Sequence, residues 1–187
     1  IPIEEVYYGP SYYLISMNLD GSDMKKQKLE LETENTSGWM SNIKLLKDGS
    51  VVAFREEGSE DWSDPENPIY KAEYALYKWD AEGKPQWCTK IKTKEDEYIY
   101  AQSIIEDNGG KIIMLTGDNM IYTFDKDGKE ISQKEIPQST NGYIGQVIVK
   151  KDGSVFVTSY NEEWTKIFVS ELDLAAGTMG EKVEVPS

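Results

Sequence analysis

Length, composition and charge set the first limits on this chain. It has 187 residues, of which 39% are hydrophobic, enough for a packed core and too many for a disordered chain. Acidic residues outnumber basic ones by 34 to 20, and the net charge of −14 disfavours nucleic acid and anionic membrane surfaces as partners. The absence of histidine excludes a Ser-His or Cys-His nucleophilic pair, and the single cysteine excludes an internal disulfide.

The ends and the apolar runs of the sequence bear on its cellular context. No apolar run approaches the roughly 18–20 residues that a membrane-spanning helix needs, so we expect no membrane insertion of this region. The chain begins at Ile1 with neither an initiator Met nor a signal peptide. We therefore expect a segment of a longer protein.

A first short pattern recurs along the chain, and it is typical of a β-hairpin. Apolar residues alternate on both sides of a turn that contains Asp-Gly or Asn-Gly, centred on Asp48, Asn108 and Asp152. Such turns need a positive φ, which glycine adopts without strain. The pattern predicts a tight turn at each of these three positions, all at the same edge of their sheets.

A second pattern alternates with the first. It is an aromatic-rich strand that ends in an aspartate with a glycine shortly after it, and the aspartates are Asp20, Asp80, Asp125 and Asp173. They lie 60, 45 and 48 residues apart. One hairpin of each kind gives four strands in about 45 residues, which is the size of a β-propeller blade.

The two patterns together predict an all-β fold, a β-propeller fragment of about three and a half four-stranded antiparallel blades. A partial blade occupies residues 1–32, and complete blades occupy 39–92, 98–136 and 143–185. The wider first spacing is explained by an insertion at 56–72, which we interpret as a long loop. An array of this kind has an open blade at each end, so we expect self-association through the terminal blades.

Several conspicuous side chains are predicted to be structural. Leu19, Trp79, Phe124 and Leu172 directly precede the four aspartates, and a bulky apolar residue at one recurring strand position indicates packing between blades. Trp39 resembles Tyr98 and Tyr143 in starting a first strand and is assigned to the core for the same reason. Cys88 lies in a strand-like stretch and is predicted to be a small buried residue rather than a reactive thiol.

The segment Asp125-Lys126-Asp127-Gly128 has the spacing of part of a calcium-binding loop. Calcium loops need a further oxygen ligand and a distal glutamate, whereas Lys126 and Lys129 place positive charge where the ion would lie. A turn that closes a hairpin is the favoured interpretation. The sequence predicts no metal site and no cofactor.

Two hairpin loops carry the candidate ligand-binding residues. Each combines a tryptophan with two preceding acids, a pairing suited to stacking on a sugar ring or to capturing a cation. The candidate residues are Trp62, Trp164, Glu60, Asp61, Glu162, Glu163 and Tyr70. The repeat predicts that both loops project from the same rim. The alternative is that both tryptophans fold back over their own loops.

The two patterns also resemble a known group of proteins. The run Asp-Gly-Ser-Val-Phe-Val at 152–157, combined with the strand at 74–84 that reads Tyr-x-Leu-x-x-x-Asp-x-x-Gly-Lys, resembles bacterial extracytoplasmic β-propeller repeats of the quinoprotein-like kind. It looks most like the propeller regions of surface lipoproteins, some of which are linked to ABC-transporter substrate-binding domains. The resemblance implies a propeller fold and an extracytoplasmic location, secreted or anchored at the cell surface. No cofactor-binding residue of that group matches a position here.

These observations favour a non-catalytic binding, sensing or scaffolding module of an exported bacterial protein, with a carbohydrate or a protein as ligand. One alternative is a propeller glycosidase that uses paired acidic residues. The other is a purely structural blade array that supports an attached domain.

Overall fold

All regular structure in the described residues is β-strand. The computed structural model describes residues 11–31, 37–61, 66, 69–93, 98–136 and 143–186. Its strands, in chain order, are β1 (Tyr13–Ser16), β2 (Lys25–Lys28), β3 (Ser37–Leu45), β4 (Val51–Asp61), β5 (Ile69–Trp79), β6 (Pro85–Ile91), β7 (Ala101–Glu106), β8 (Ile112–Thr116), β9 (Met120–Phe124), β10 (Glu130–Glu135), β11 (Tyr143–Val149), β12 (Val155–Tyr160), β13 (Ile167–Asp173), β14 (Thr178–Met179) and β15 (Val183–Glu184). The all-β prediction is confirmed for this part of the chain, where no helix is long and apolar enough to cross a membrane.

The strands form four sheets with a repeated order. β1 and β2 make a two-stranded sheet, and β3 to β6 and β7 to β10 make two four-stranded sheets in chain order. The last sheet joins β11, β12 and β13, with β14 and β15 both paired to β13. Two of the three predicted four-stranded antiparallel sheets are thus present, whereas the last sheet has five strands. The chain divides into two compact units, residues 1–41 with 45–98, and residues 42–44 with 99–187.

The turn that joins the first and second strands is alike in the three larger sheets. Asp48, Asn108 and Asp152 all lie in turns, as predicted. A glycine with positive φ closes each turn, at Gly49 (83°), Gly110 (79°) and Gly153 (91°). In the second unit, Asn108 Nδ2 also donates to the carbonyl of Lys151 at 3.3 Å, so two of these turns touch at the same edge.

The first unit has a core between the β1–β2 hairpin and the β3–β6 sheet. Leu14 and Leu29 of the hairpin segment pack against a buried cluster that includes Trp79. Trp79 is 0% exposed, and its Nε1 donates to the carbonyl of Glu30 at 2.7 Å, which satisfies the one polar atom of the buried indole. The predicted structural role of Trp79 is confirmed.

The second unit has a core between the faces of two sheets. The β7–β10 sheet contributes Ile105, Ile113, Leu115 and Ile121, and the last sheet contributes Val147, Val155, Val157 and Leu172. Every one of these residues is buried, and alternation along each strand places the four residues of a sheet on one face. Phe124 is fully buried as well, so the structural predictions for Phe124 and Leu172 are confirmed.

The first copy of the aromatic strand differs from its prediction by two residues. Asn18, not Asp20, closes this turn, because the N–H of Gly21 donates to the Asn18 carbonyl at 2.9 Å. A turn of this type joins residues three apart, and Asn18 with Gly21 has the separation of Asp80 with Gly83. Leu19 therefore lies inside the turn and is fully exposed, so its assignment to the core is wrong.

The interpretation of residues 56–72 as a long loop is also wrong for most of its length. β4 and β5 stay paired from Glu56 opposite Tyr74 to Asp61 opposite Ile69. Backbone hydrogen bonds hold such a ladder together, and they require no apolar alternation of the side chains. The extra residues therefore extend a two-stranded ribbon, and only 62–68 separate the two strands.

Two more core assignments need correction. Trp39 is 79% exposed, because Met40 packs against the first unit's core and alternation turns its neighbour to the opposite side. Tyr98, its proposed counterpart, is exposed as well. Cys88 is half-buried at the margin of the same core rather than fully enclosed.

Candidate functional site

The loop between β12 and β13 presents Trp164 to solvent. Its backbone has a φ of 56°, a conformation that costs a non-glycine residue roughly 1–2 kcal/mol. The N–H of Trp164 donates to the carbonyl of Asn161 at 3.0 Å, which closes the turn. The side chain is 60% exposed. A large indole is thus held outward by a conformation that an ordinary loop residue would avoid.

The side chain of Asn161 organises this loop. Its Oδ1 accepts the N–H of Thr165 at 2.9 Å and the N–H of Lys166 at 2.8 Å. Its Nδ2 donates to Thr165 Oγ1 at 2.9 Å and to Glu163 Oε2 at 2.6 Å. One amide therefore ties together both sides of the turn, as asparagine commonly does in tight turns.

An aromatic neighbour supports one side of the exposed indole. The rings of Tyr160 and Trp164 have centroids 5.1 Å apart and planes inclined by 32°. Tyr160 is half-buried at the end of β12 and so forms a fixed base for the pair. The arrangement restricts the indole without covering it.

Two carboxylates border this indole. Glu162 and Glu163 directly precede Trp164 in the turn, and both are exposed. Lys166, just beyond the turn, is paired with Glu184 at 3.0 Å. An exposed indole beside carboxylates can stack on a sugar ring while the carboxylates accept hydrogen bonds from hydroxyl groups, or it can attract a cation.

The other predicted loop is described only in part. Trp62 lies outside the described residues. Glu60 and Asp61 end β4, where Glu60 is opposite Tyr70 and Asp61 is opposite Ile69, and only their backbone is described. The proposed grouping of this loop with the Trp164 loop stays a prediction.

The aspartates of the repeat serve as turn acceptors. Asp125 Oδ1 accepts the N–H groups of Asp127 at 3.0 Å and Lys129 at 2.9 Å, so the predicted hairpin turn at 125–128 is confirmed. Asp80 accepts the N–H groups of Glu82 and Lys84 in the same way. Within the described ranges, no three acidic or cysteine side chains are grouped so as to hold a metal ion.

Hydrogen bonds shift the titration of two turn aspartates. The hydroxyl and the N–H of Ser50 donate to Asp48, and together they lower the pKa of this carboxyl below its usual value. Ser154 acts likewise on Asp152, donating its hydroxyl at 2.6 Å and its N–H at 3.0 Å, and lowers that pKa too. These carboxyls stabilise turns through their ionised form.

A buried polar cluster in the first unit escaped the sequence analysis. Arg55, 1% exposed, lies 3.6 Å from Glu57, and Glu57 accepts the hydroxyl of Tyr77 at 2.7 Å. Burial, and then the bond to Glu57, raise the pKa of Tyr77 above its usual value. Arg55 and Glu57 continue the β4 face that carries Val51 and Ala53, and this two-residue alternation was the signal for a buried pair.

The last sheet carries an exposed apolar groove that sequence reasoning also missed. Ile148, Phe156, Val169 and Val183 line a groove of about 590 Å³ on one face of this sheet. Consecutive apolar residues at 147–149 and 155–157 give this sheet two apolar faces, but the sequence did not show which face is left open.

No protein-family model matches this chain, and no curated protein is similar to it in sequence.

Proposed function

We propose that this chain is a β-propeller fragment of about three and a half blades that acts as a non-catalytic binding, sensing or scaffolding module. The repeated sheets support the architecture. In each of the three larger sheets the first strand, β3, β7 or β11, lies at one edge, and the strands beside it follow in chain order. Blades of a propeller have this order, with their first strands gathered around an axis.

Contacts between first strands give further support. In the second unit, β7 lies against β11, and Gln102 Nε2 donates to the carbonyl of Ile144. Asn42 Nδ2 donates likewise to the carbonyl of Ala101, which corresponds to Ile144 in the repeat. Gln102 lies at a bulge in its strand, and Asn42 has a φ of 50°. Within the second unit, amide side chains from two irregular positions thus bind backbone carbonyls of the first strands β7 and β11.

The Trp164 loop carries the functional part of the proposal. Two properties of Trp164 support it. The indole is 60% exposed, and its backbone adopts an unfavourable φ of 56°. Strain of this kind persists only where the surroundings enforce it, and it is concentrated at binding sites. The flanking Glu162 and Glu163 suit a ligand with many hydroxyl groups, so carbohydrate is the ligand class we favour and a protein surface is the second.

The cellular setting belongs to the same proposal. The resemblance of the hairpin motifs to extracytoplasmic bacterial propellers supports an exported protein, secreted or anchored at the cell surface. A net charge of −14 fits a ligand that is neutral or positively charged.

An oligosaccharide array tests the ligand class. The purified chain is applied to immobilised neutral bacterial and plant oligosaccharides, beside Trp164→Ala and the control Trp39→Ala, which removes another exposed tryptophan. We expect wild type and Trp39→Ala to bind alike and Trp164→Ala to bind about 10- to 100-fold more weakly, a typical share for an anchor residue. Equal binding by Trp164→Ala, or no binding by the wild type, would reject the carbohydrate proposal.

A further inference from the structure

The apolar groove of the last sheet has the chemistry of a sheet-packing surface. Ile148 on β11, Phe156 on β12 and Val169 on β13 lie side by side on its floor, with Val183 of β15 at its edge. Ile148 is 45% exposed and Val183 is 64% exposed. The opposite face of the same sheet is buried in the second unit's core.

The repeat shows what such a face does elsewhere. Counting from the turn glycine of each sheet's first hairpin relates Ile148 and Phe156 to residues of the preceding sheet, and the pairing with the adjacent strand relates Val169 to a third. The counterparts are Ile105, Ile113 and Ile121. All three are buried against the last sheet. The groove is therefore the face onto which a further sheet would pack.

A matching face is exposed on the first hairpin. Tyr13 and Ile15 lie on the side of β1 opposite Leu14, which packs inward, and they are 45% and 51% exposed. Their cross-strand partners, Lys28 and Lys26, share that side. By the turn alignment, Ile15 corresponds to Tyr77, which packs against this hairpin in the first unit's core. The hairpin thus exposes the face that complements a groove of this type.

The charges of the two faces are opposite. Glu171 and Glu181 are exposed at the groove, where Lys150 lies over the Phe156 ring with its Nζ 4.0 Å from the centroid. The hairpin face carries exposed Lys26 and Lys28 and no acidic residue among its four cross-strand positions. The two faces therefore carry complementary charges, a pairing that favours specific association in a chain whose net charge is −14.

We infer that the groove binds the β1–β2 hairpin of a second copy of this chain, head to tail. The inference rests on the proposed propeller architecture, in which each sheet packs on the next. The Trp164 loop takes no part in this interface. The interface is heterologous, because different faces of the two copies meet. Tyr13 and Ile15 of one copy would cover Ile148 and Phe156 of the other.

Sedimentation equilibrium with paired variants tests this interface. Ile15→Asp disables the hairpin face, and Ile148→Asp disables the groove. We expect the wild type to gain mass with concentration, and each variant alone to associate at least about tenfold more weakly. An equimolar mixture should form a 1:1 complex, because one intact hairpin face and one intact groove remain.

The controls separate this inference from the proposed ligand site. Ile131→Asp places the same charge at an exposed isoleucine outside both faces and should associate like the wild type, as should Trp164→Ala. If circular dichroism shows that Ile148→Asp fails to fold, Val183→Asp replaces it. A wild-type monomer up to about 100 μM, or a mixture with no 1:1 complex, would overturn the inference. Oligosaccharide binding by that monomer would leave the proposed function intact.

Discussion

Asn161 holds Trp164 in place from both ends of a five-residue turn. The Asn161 carbonyl accepts the N–H of Trp164 at 3.0 Å, and its side chain accepts the next two N–H groups along the chain. The position of the indole therefore depends on the loop's own hydrogen bonds together with its contact with Tyr160. A loop built in this way can present a side chain without requiring it for the core.

Replacing Asn161 should loosen the loop. Asn161→Ala removes the side-chain acceptor of Thr165 and Lys166 and should cost about 0.5–1.5 kcal/mol, as a lost hydrogen bond typically does. Hydrogen exchange at the amides of Thr165 and Lys166 should become faster. Asn161→Asp keeps the acceptor oxygen and is the control, so equal protection in Asn161→Ala and wild type would contradict this role.

The positive φ at Trp164 can be measured with two substitutions. Trp164→Gly and Trp164→Ala both remove the indole and its contact with Tyr160, but only glycine adopts a φ of 56° without strain. Trp164→Gly should therefore be more stable than Trp164→Ala by roughly 1–2 kcal/mol, offset in part by glycine's larger backbone entropy. Urea denaturation measures the difference, and an alanine variant as stable as the glycine variant would show that the turn is unstrained.

A second pair of substitutions probes the packing of the first hairpin. Gly83 and Gly110 both have a φ of 79°, but a Cβ at Gly83 would lie 2.7 Å from the Lys28 carbonyl oxygen, whereas one at Gly110 would meet open space. Gly110→Ala should cost only the backbone strain, roughly 1–2 kcal/mol. Gly83→Ala should cost about 1–3 kcal/mol more, because the hairpin must move. Equal losses in thermal denaturation would mean that the hairpin does not pack on this turn.

The repeat in the sequence predicted the strands and turns because local rules determine them. Asp48 and Asp152 are followed by glycine, and an Asp-Gly pair between alternating apolar residues has few other conformations. Trp79 was predicted to be structural on its repeated position alone. The sequence thus predicted which segments pair and which positions recur.

The errors arose where local rules compete or tertiary context decides. Asp20-Gly21 resembled the other turns in sequence. The Gly21 N–H, however, donates to the carbonyl of Asn18, three residues earlier, so the turn starts at Asn18 and not at Asp20. Trp39 was assigned to the core because it matches Tyr98 and Tyr143 at the start of a first strand, but its exposure depends on which face of its strand is covered. The open groove at Ile148 depends on what packs on a sheet, and alternation alone does not show that.

Acid should weaken the turns that contain Asp48 and Asp152. Hydrogen bonds from Ser50 and Ser154 lower the pKa of both carboxyls in the folded state. The stabilisation is therefore complete above the unfolded pKa of about 3.9 and is lost as the pH falls through the lower folded values.

Urea denaturation between about pH 5 and pH 2 measures this loss. The double variant Ser50→Ala with Ser154→Ala keeps the carboxyls and removes the hydroxyl donors. Its free energy of unfolding should lie below that of the wild type near pH 5, and the difference should shrink as the pH falls toward about 2. A constant difference at every pH would show that the hydroxyls do not act through the ionised carboxyls.

The central claim is that Trp164 is presented for binding, whereas Trp79 stabilises the core. Urea denaturation of Trp164→Ala and Trp79→Ala tests this claim without any knowledge of the ligand. Trp164→Ala should lower the free energy of unfolding by at most about 1.5 kcal/mol, the value of its contact with Tyr160. Trp79→Ala should lower it by about 3–5 kcal/mol, since Trp79 is fully buried. A loss at Trp164 as large as the loss at Trp79 would contradict the account.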